Sequence, residues 1–276
     1  MVKIKPDYDS LKLIEKGWGK SVSDYTDNFK FRYDSEGFMI DGYISCPKNI
    51  DGKLPVIIWN RGGNDKSGRL DDFLASGILG EIASWGYIVF ASQYRDKDEF
   101  GGRDLNDVLN LIKIAKQYEH SDSERIGMEG WSRGGMMSYL ALTKTDEIKT
   151  CIIVAGLSDL ISNENQNPKL GKVFQKNFGN EDKKKFLEEK VNRSAVCWPE
   201  KISKITDILL IHGTSDEKVL SSDSVSLYNK ISALNGKEKY ALNLIEGGDH
   251  YLRKNRKEVS VMRKKWFDER LKFKRF

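Results

Sequence analysis

Short apolar runs recur along this chain, separated by longer stretches in which apolar residues return every three or four positions. The first pattern marks buried strands and the second amphipathic helices. Runs at 56–60, 87–92, 125–128, 150–155, 208–211 and 240–245 predict strands, and the stretches at 70–84 and 105–118 predict helices between them. Ahead of these, residues 29–46 read as a hairpin turning at Ser35-Glu36-Gly37. A hairpin followed by alternating strands and helices implies an α/β fold. Its sheet is mostly parallel and twisted, with helices on both faces and an antiparallel amino-terminal start.

Residues 1–28 read as a helical amino-terminal extension and 29–276 as one α/β domain. The segment 158–205 breaks the rhythm. It is polar and helix-prone, with Val173-Phe174-Gln175-Lys176-Asn177-Phe178 and 181–191 as its helical parts, and it leaves the carboxyl end of a strand. Either it overhangs the neighbouring chemistry as a small lid or pocket wall, or it is a surface excursion without function. The last helix, 253–275, carries Val259, Met262, Trp266, Phe267 and Leu271 on one face, which predicts packing on the sheet with the basic face solvated.

Composition excludes more than it selects. A chain of 276 residues can bury a sizeable core in one domain, and 39% hydrophobic with 32% charged residues is ordinary for a globular enzyme. The charge of +5 is scattered, and no aromatic-basic interleaving supports nucleic-acid binding. No window approaches the roughly 20 apolar residues of a membrane span. The start, Met1-Val2-Lys3-Ile4-Lys5-Pro6-Asp7, has no apolar stretch of signal-peptide length. Cys46, Cys151 and Cys197 are odd in number and include no Cys-x-x-Cys pair. They point to reduced thiols, and to neither a disulfide framework nor a zinc site. The expectation is a cytoplasmic protein without metal or organic cofactor; its oligomeric state is not legible.

The chemistry starts at Gly130-Trp131-Ser132-Arg133-Gly134, between the run ending at Met128 and the apolar stretch 136–142. A serine between strand and helix, flanked by glycines, has the pattern of a nucleophile elbow. Chance alone gives Gly-x-Ser-x-Gly in roughly one chain in six of this composition, so the presence of an acid and a base further along the chain decides. Ile208-Leu209-Leu210-Ile211 runs into His212-Gly213-Thr214-Ser215-Asp216, and the run 240–245 into Glu246-Gly247-Gly248-Asp249-His250. Serine, acid and histidine therefore occur in the chain order of α/β-hydrolases, the acid and the base each past a strand's carboxyl end, where open α/β sheets collect their chemistry. His120 reads as a solvated helix end and His212 as a buried, hydrogen-bonded residue, which leaves His250 as the general base. Asp216 is the acid, with Glu217 its first substitute. Asp249, adjacent to His250, points away from it.

A tetrahedral oxyanion needs two donors. One is the N–H of Arg133, the residue after the serine. The other is sought in Arg61-Gly62-Gly63-Asn64-Asp65 after strand 56–60, with Gly63 ahead of Gly62; the same glycines also suit a tight turn.

In combination these residues resemble the catalytic domain of the prolyl oligopeptidase family of serine peptidases, within the α/β-hydrolase superfamily. Arg61-Gly62-Gly63 stands in the place of that family's His-Gly-Gly, and Tyr94-Arg95 precedes Gly101-Gly102-Arg103-Asp104. Arg125-Ile126-Gly127-Met128-Glu129-Gly130-Trp131-Ser132, His212-Gly213-Thr214-Ser215-Asp216-Glu217-Lys218-Val219 and Glu246-Gly247-Gly248-Asp249-His250 are similar to it as well. The resemblance implies the α/β-hydrolase fold and Ser132, Asp216 and His250 as a triad. It also implies an acyl-enzyme route for cleaving an ester or peptide bond of a small ester or short peptide. Arg61 and Tyr94 are candidate substrate contacts by position, with Arg61 or Arg133 facing a substrate carboxylate. The departures bear on substrate. Peptidases of the family generally carry an amino-terminal β-propeller for which this chain has no room, Arg61 replaces a histidine, and Asp96 stands where a glycine usually follows Tyr94-Arg95. A carboxylesterase of small acyl esters therefore stands beside the peptidase reading. A non-catalytic scaffold that binds a ligand or partner is the alternative from another class.

Overall fold

The computed structural model describes residues 1–64, 67–97 and 99–272. Among the described residues nine strands form one sheet: β1 (Val2–Lys3), β2 (Thr26–Ser35), β3 (Phe38–Pro47), β4 (Leu54–Asn60), β5 (Ile88–Ser92), β6 (Ser121–Trp131), β7 (Ile148–Val154), β8 (Asp207–Gly213) and β9 (Tyr240–Ile245). The order across the sheet is β1-β2-β3-β5-β4-β6-β7-β8-β9. Pairing is antiparallel from β1 to β5 and parallel from β5 to β9. Together these features make an α/β-hydrolase fold.

Period-two alternation explains why the central strands read as unbroken apolar runs. In β4, Val56 and Ile58 enter the core on one face while Ile57 and Trp59 enter the core on the other. In β8, Ile208 and Leu210 divide from Leu209 and Ile211 in the same way. A strand with helices on both faces has no side left for polar residues. The first core is closed by α4 (Leu105–Gln117), α5 (Arg133–Ala141) and α9 (Ser221–Asn235); the second by α3 (Asp72–Ser84) and α10 (Arg256–Phe267). Each fully buried Leu or Ile contributes about 1.5–3 kcal/mol, so two such layers account for most of the folding drive.

At the amino end, α1 (Tyr8–Trp18) and α2 (Lys20–Tyr25) pack against α3. Asp7 caps α1 by accepting the Ser10 N–H at 2.7 Å. The span 1–28, expected as a helical amino-terminal extension, holds α1 and α2 together with two pieces of strand. Val2 and Lys3 pair with β2 as an edge strand, and Thr26, Asp27 and Asn28 already belong to the hairpin. The segment 158–205 contains α6 (Leu160–Gln166), α7 (Pro168–Phe178) and α8 (Lys183–Arg193). At the carboxyl end α10 stops at Phe267 and a single π turn, Asp268–Lys272, follows. Residues 273–275 of the expected last helix lie outside the described residues. No described helix is long and apolar enough to cross a membrane.

Candidate active site

β6 delivers Ser132 to the start of α5 with φ 57° and ψ −120°. A residue bearing a Cβ holds such a conformation at a cost of about 1–3 kcal/mol, repaid by the surrounding structure. Its neighbours show why glycine flanks it. A Cβ on Gly130 would stand 2.2 Å from the Gly134 carbonyl oxygen, and one on Gly134 would stand 2.0 Å from that of Asn60. The Ser132 N–H donates to the Val154 carbonyl at 2.9 Å, and its own carbonyl accepts the Gly135 N–H at 2.9 Å. The turn is thereby held from both sides.

Asp216 and His250 come from the loops after β8 and β9, adjacent strands in the parallel half of the sheet. His250 Nδ1 lies 2.7 Å from Asp216 Oδ2. The other oxygen, Oδ1, accepts the N–H groups of Lys218 at 2.8 Å and Val219 at 3.0 Å. His212, fully buried, meets Oδ2 through Nε2 at 3.2 Å and the Val219 carbonyl at 2.9 Å, while its Nδ1 is 2.7 Å from Ser224 Oγ. Two acceptors face His212 Nε2, so that nitrogen carries the proton and the Ser224 hydroxyl donates to Nδ1. Burial alone would raise the Asp216 pKa. Hydrogen bonds from His212 and His250 outweigh it and hold the carboxyl well below the usual carboxylate range. An ionised Asp216 favours the His250 tautomer with its proton on Nδ1, which leaves Nε2 as the acceptor. Glu217 is exposed, and Asp249 accepts from the Arg253 N–H instead of facing the imidazole.

Ser132 and His250 line one cavity of ≈ 700 Å³. The glycine loop after β4 forms another part of its lining. A Cβ on Gly62 would lie 2.9 Å from the Trp131 carbonyl oxygen and 3.3 Å from the Ser132 Cβ, so the missing side chain lets the loop come this close. Gly63 has φ +73°, its carbonyl accepts from Arg133 Nη1 at 3.0 Å, and among the described residues nothing accepts its N–H.

Arg61 and Tyr94, expected as substrate contacts, are placed elsewhere. Arg61 is 1% exposed and gives Nε and Nη2 to the Gln93 carbonyl at 3.0 and 2.9 Å. Tyr94 lies beneath that guanidinium, 4.7 Å from ring centre to Cζ, and donates its hydroxyl to the Arg61 carbonyl at 3.1 Å. Neither residue is among those lining the cavity. Buried loop carbonyls need donors, and the Arg61 guanidinium supplies them. The Arg133 side chain is also buried, paired with Asp104 and stacked over Tyr94 and Phe100.

Sequence reasoning missed the cavity floor. Glu129 is fully buried and accepts from Trp131 Nε1 at 2.8 Å, Trp59 Nε1 at 3.2 Å, and Arg263 through Nη2 at 2.8 Å and Nε at 3.0 Å. Arg263 Nη1 reaches on to Glu81 at 2.9 Å. An acid inside an apolar run signals a buried partner, but the partner sits in α10, far along the chain. The helical segment also reaches the site: Leu157 just before it, and Leu170 and Val173 of α7, line the cavity. Asp223 of α9 anchors that segment by accepting from the N–H groups of Ser158 and Asp159 and from Asn163.

Comparison with known proteins places the chain as a whole. An uncharacterised peptidase of Bacillus subtilis (strain 168), YtmA, is 27% identical over 229 residues, covering 80% of this chain and 86% of that protein. Dipeptidyl peptidase 8 of Mus musculus is 25% identical over 283 residues, 89% of this chain but only 30% of the relative. Among solved structures, the acylaminoacyl peptidase of Pyrococcus horikoshii superposes with a TM-score of 0.78 at 22% identity, over 98% of this chain and 45% of that one. The chain thus spans less than half the length of several of the proteins it matches. Residues 82–274 match the prolyl oligopeptidase family, and the chain belongs to that family.

Proposed function

We propose that the protein is a serine peptidase in which Ser132 is the nucleophile, His250 the general base and Asp216 the residue that fixes the imidazole. The Asp216–His250 contact of 2.7 Å carries this reading, because it leaves the far ring nitrogen free to act on a serine lining the same cavity. Ser132 Oγ attacks the carbonyl while His250 Nε2 takes its proton. The N–H groups of Arg133 and Gly63 donate to the oxyanion. The histidine then returns the proton to the departing amine or alcohol, and water hydrolyses the acyl-enzyme by the same steps. A substrate peptide is supported by family membership and by a related acylaminoacyl peptidase solved with Z-Gly-Gly-Phe-chloromethyl ketone. The segment 158–205 acts as a lid or wall, supported by Leu170 and Val173 on the cavity lining.

Turnover of aminoacyl nitroanilides against short p-nitrophenyl esters tests the assignment. The peptidase reading predicts cleavage of both, with Ser132→Ala lowering kcat by about 10⁴-fold or more. Ester cleavage without amide cleavage makes the protein a carboxylesterase. Turnover that survives Ser132→Ala refutes the nucleophile.

A further inference from the structure

The cavity is unevenly charged. Among its described lining residues Arg133, Lys218, Arg253, Arg256 and Arg263 are cationic, and Glu81 alone is acidic. Arg133 is paired with Asp104, and Arg263 with Glu81 and Glu129, so the one lining carboxylate is already engaged. Lys218 and Arg253 are exposed at the mouth, each against Tyr251.

Arg256 differs from these. It is half-buried at the first turn of α10, its Cζ lies 4.0 Å from the centre of the Trp18 ring, and its Nη1 passes close to Gly17. Among the described residues no carboxylate pairs with it. Burial lowers its pKa from the ordinary arginine value, opposed by Glu81 and reinforced by Arg263. That direction marks a cation short of solvation and of counter-charge. A guanidinium stacked on an indole keeps its N–H edge available, and that edge matches a carboxylate bidentately.

The position relative to His250 says which part of a substrate arrives there. The base returns its proton to the leaving group, so that group departs on the histidine's side of the scissile bond. His250, Arg253 and Arg256 line the cavity from one continuous stretch of chain running out of the histidine loop into α10, whereas Leu170 and Val173 come from the helical insertion. Resting on Ser132 as nucleophile, we propose that Arg256, stacked on Trp18, binds a carboxylate carried by the leaving group, the free carboxyl end of a short peptide. The carboxylate preference sought in Arg61 or Arg133 is thereby assigned to a different arginine.

Binding to the Ser132→Ala chain tests this without turnover. Calorimetry with N-acetyl-Phe-Ala-Ala as free acid and as carboxamide gives the preference directly. The free acid binds about tenfold more tightly or better. Adding Arg256→Gln brings the two peptides together, and Arg256→Lys, which keeps the charge but loses the planar fork, leaves an intermediate ratio and controls for folding. Equal binding of acid and amide, no binding of either at millimolar concentration, or a preference that survives Arg256→Gln overturns the proposal. Ester turnover by the unsubstituted chain reports on Ser132 separately, so either reading can fail alone.

Discussion

At the scale of single residues, the catalytic role proposed for Asp216 and its part in stability separate cleanly in experiment. Asp216→Asn keeps the shape but removes the charge that favours the Nδ1–H tautomer of His250, and we expect kcat to fall by about 10⁴-fold with little change in KM, measured on a p-nitrophenyl ester. The same carboxyl is a stability element. Its pKa is depressed in the folded state, so its contribution is present above the unfolded value near 4 and is lost as pH falls toward the folded one. Thermal melts from about pH 5 down to 2 should therefore show a smaller loss of Tm in Asp216→Asn than in the parent chain. The proposed triad of Ser132, Asp216 and His250 is read from the sequence because each residue lies just past a strand and the order of types is restrictive. The pairing of Trp18 with Arg256 is not: it depends on two helices distant in sequence meeting at the cavity, and no local pattern encodes that meeting.

At the scale of elements, the central strands were legible because burial on both faces leaves unbroken apolar runs, as in Ile208 to Ile211. The two-residue β1 was not, since Val2 and Lys3 are exposed and defined only by their pairing with β2. The segment 158–205 read as one polar, helix-prone stretch with two helical parts, its purpose open, because its apolar residues divide between its own packing and the cavity. Asp223 tethers it, and burial pushes that carboxyl up to about 6 despite the hydrogen bonds it accepts. For an acid raised in this way the sign is opposite to that of Asp216. The stabilisation is complete below the unfolded value near 4 and is lost as pH rises through about 6. Urea unfolding at pH 5 and 7.5 should show the parent chain losing stability between the two, with the difference shrunken in Asp223→Asn.

At the scale of the whole molecule, Glu129 ties the sheet to α10 and, through Arg263, to Glu81 of α3 on the cavity lining. Removing one partner of a buried ion pair leaves the other uncompensated, so Glu129→Ala should cost about 3–5 kcal/mol in urea unfolding. It should also raise KM as Trp59 and Trp131 lose their shared acceptor. The larger architecture exists to bring a serine after β6 and a histidine after β9 to one cavity, and a single labelling experiment asks whether they act together. A fluorophosphonate probe followed by peptide mass spectrometry should place one adduct per chain on Ser132, with the labelling rate at least a thousandfold slower in His250→Ala. Folded protein that leaves Ser132 unmodified, or that labels equally fast without the imidazole, would contradict the proposed triad.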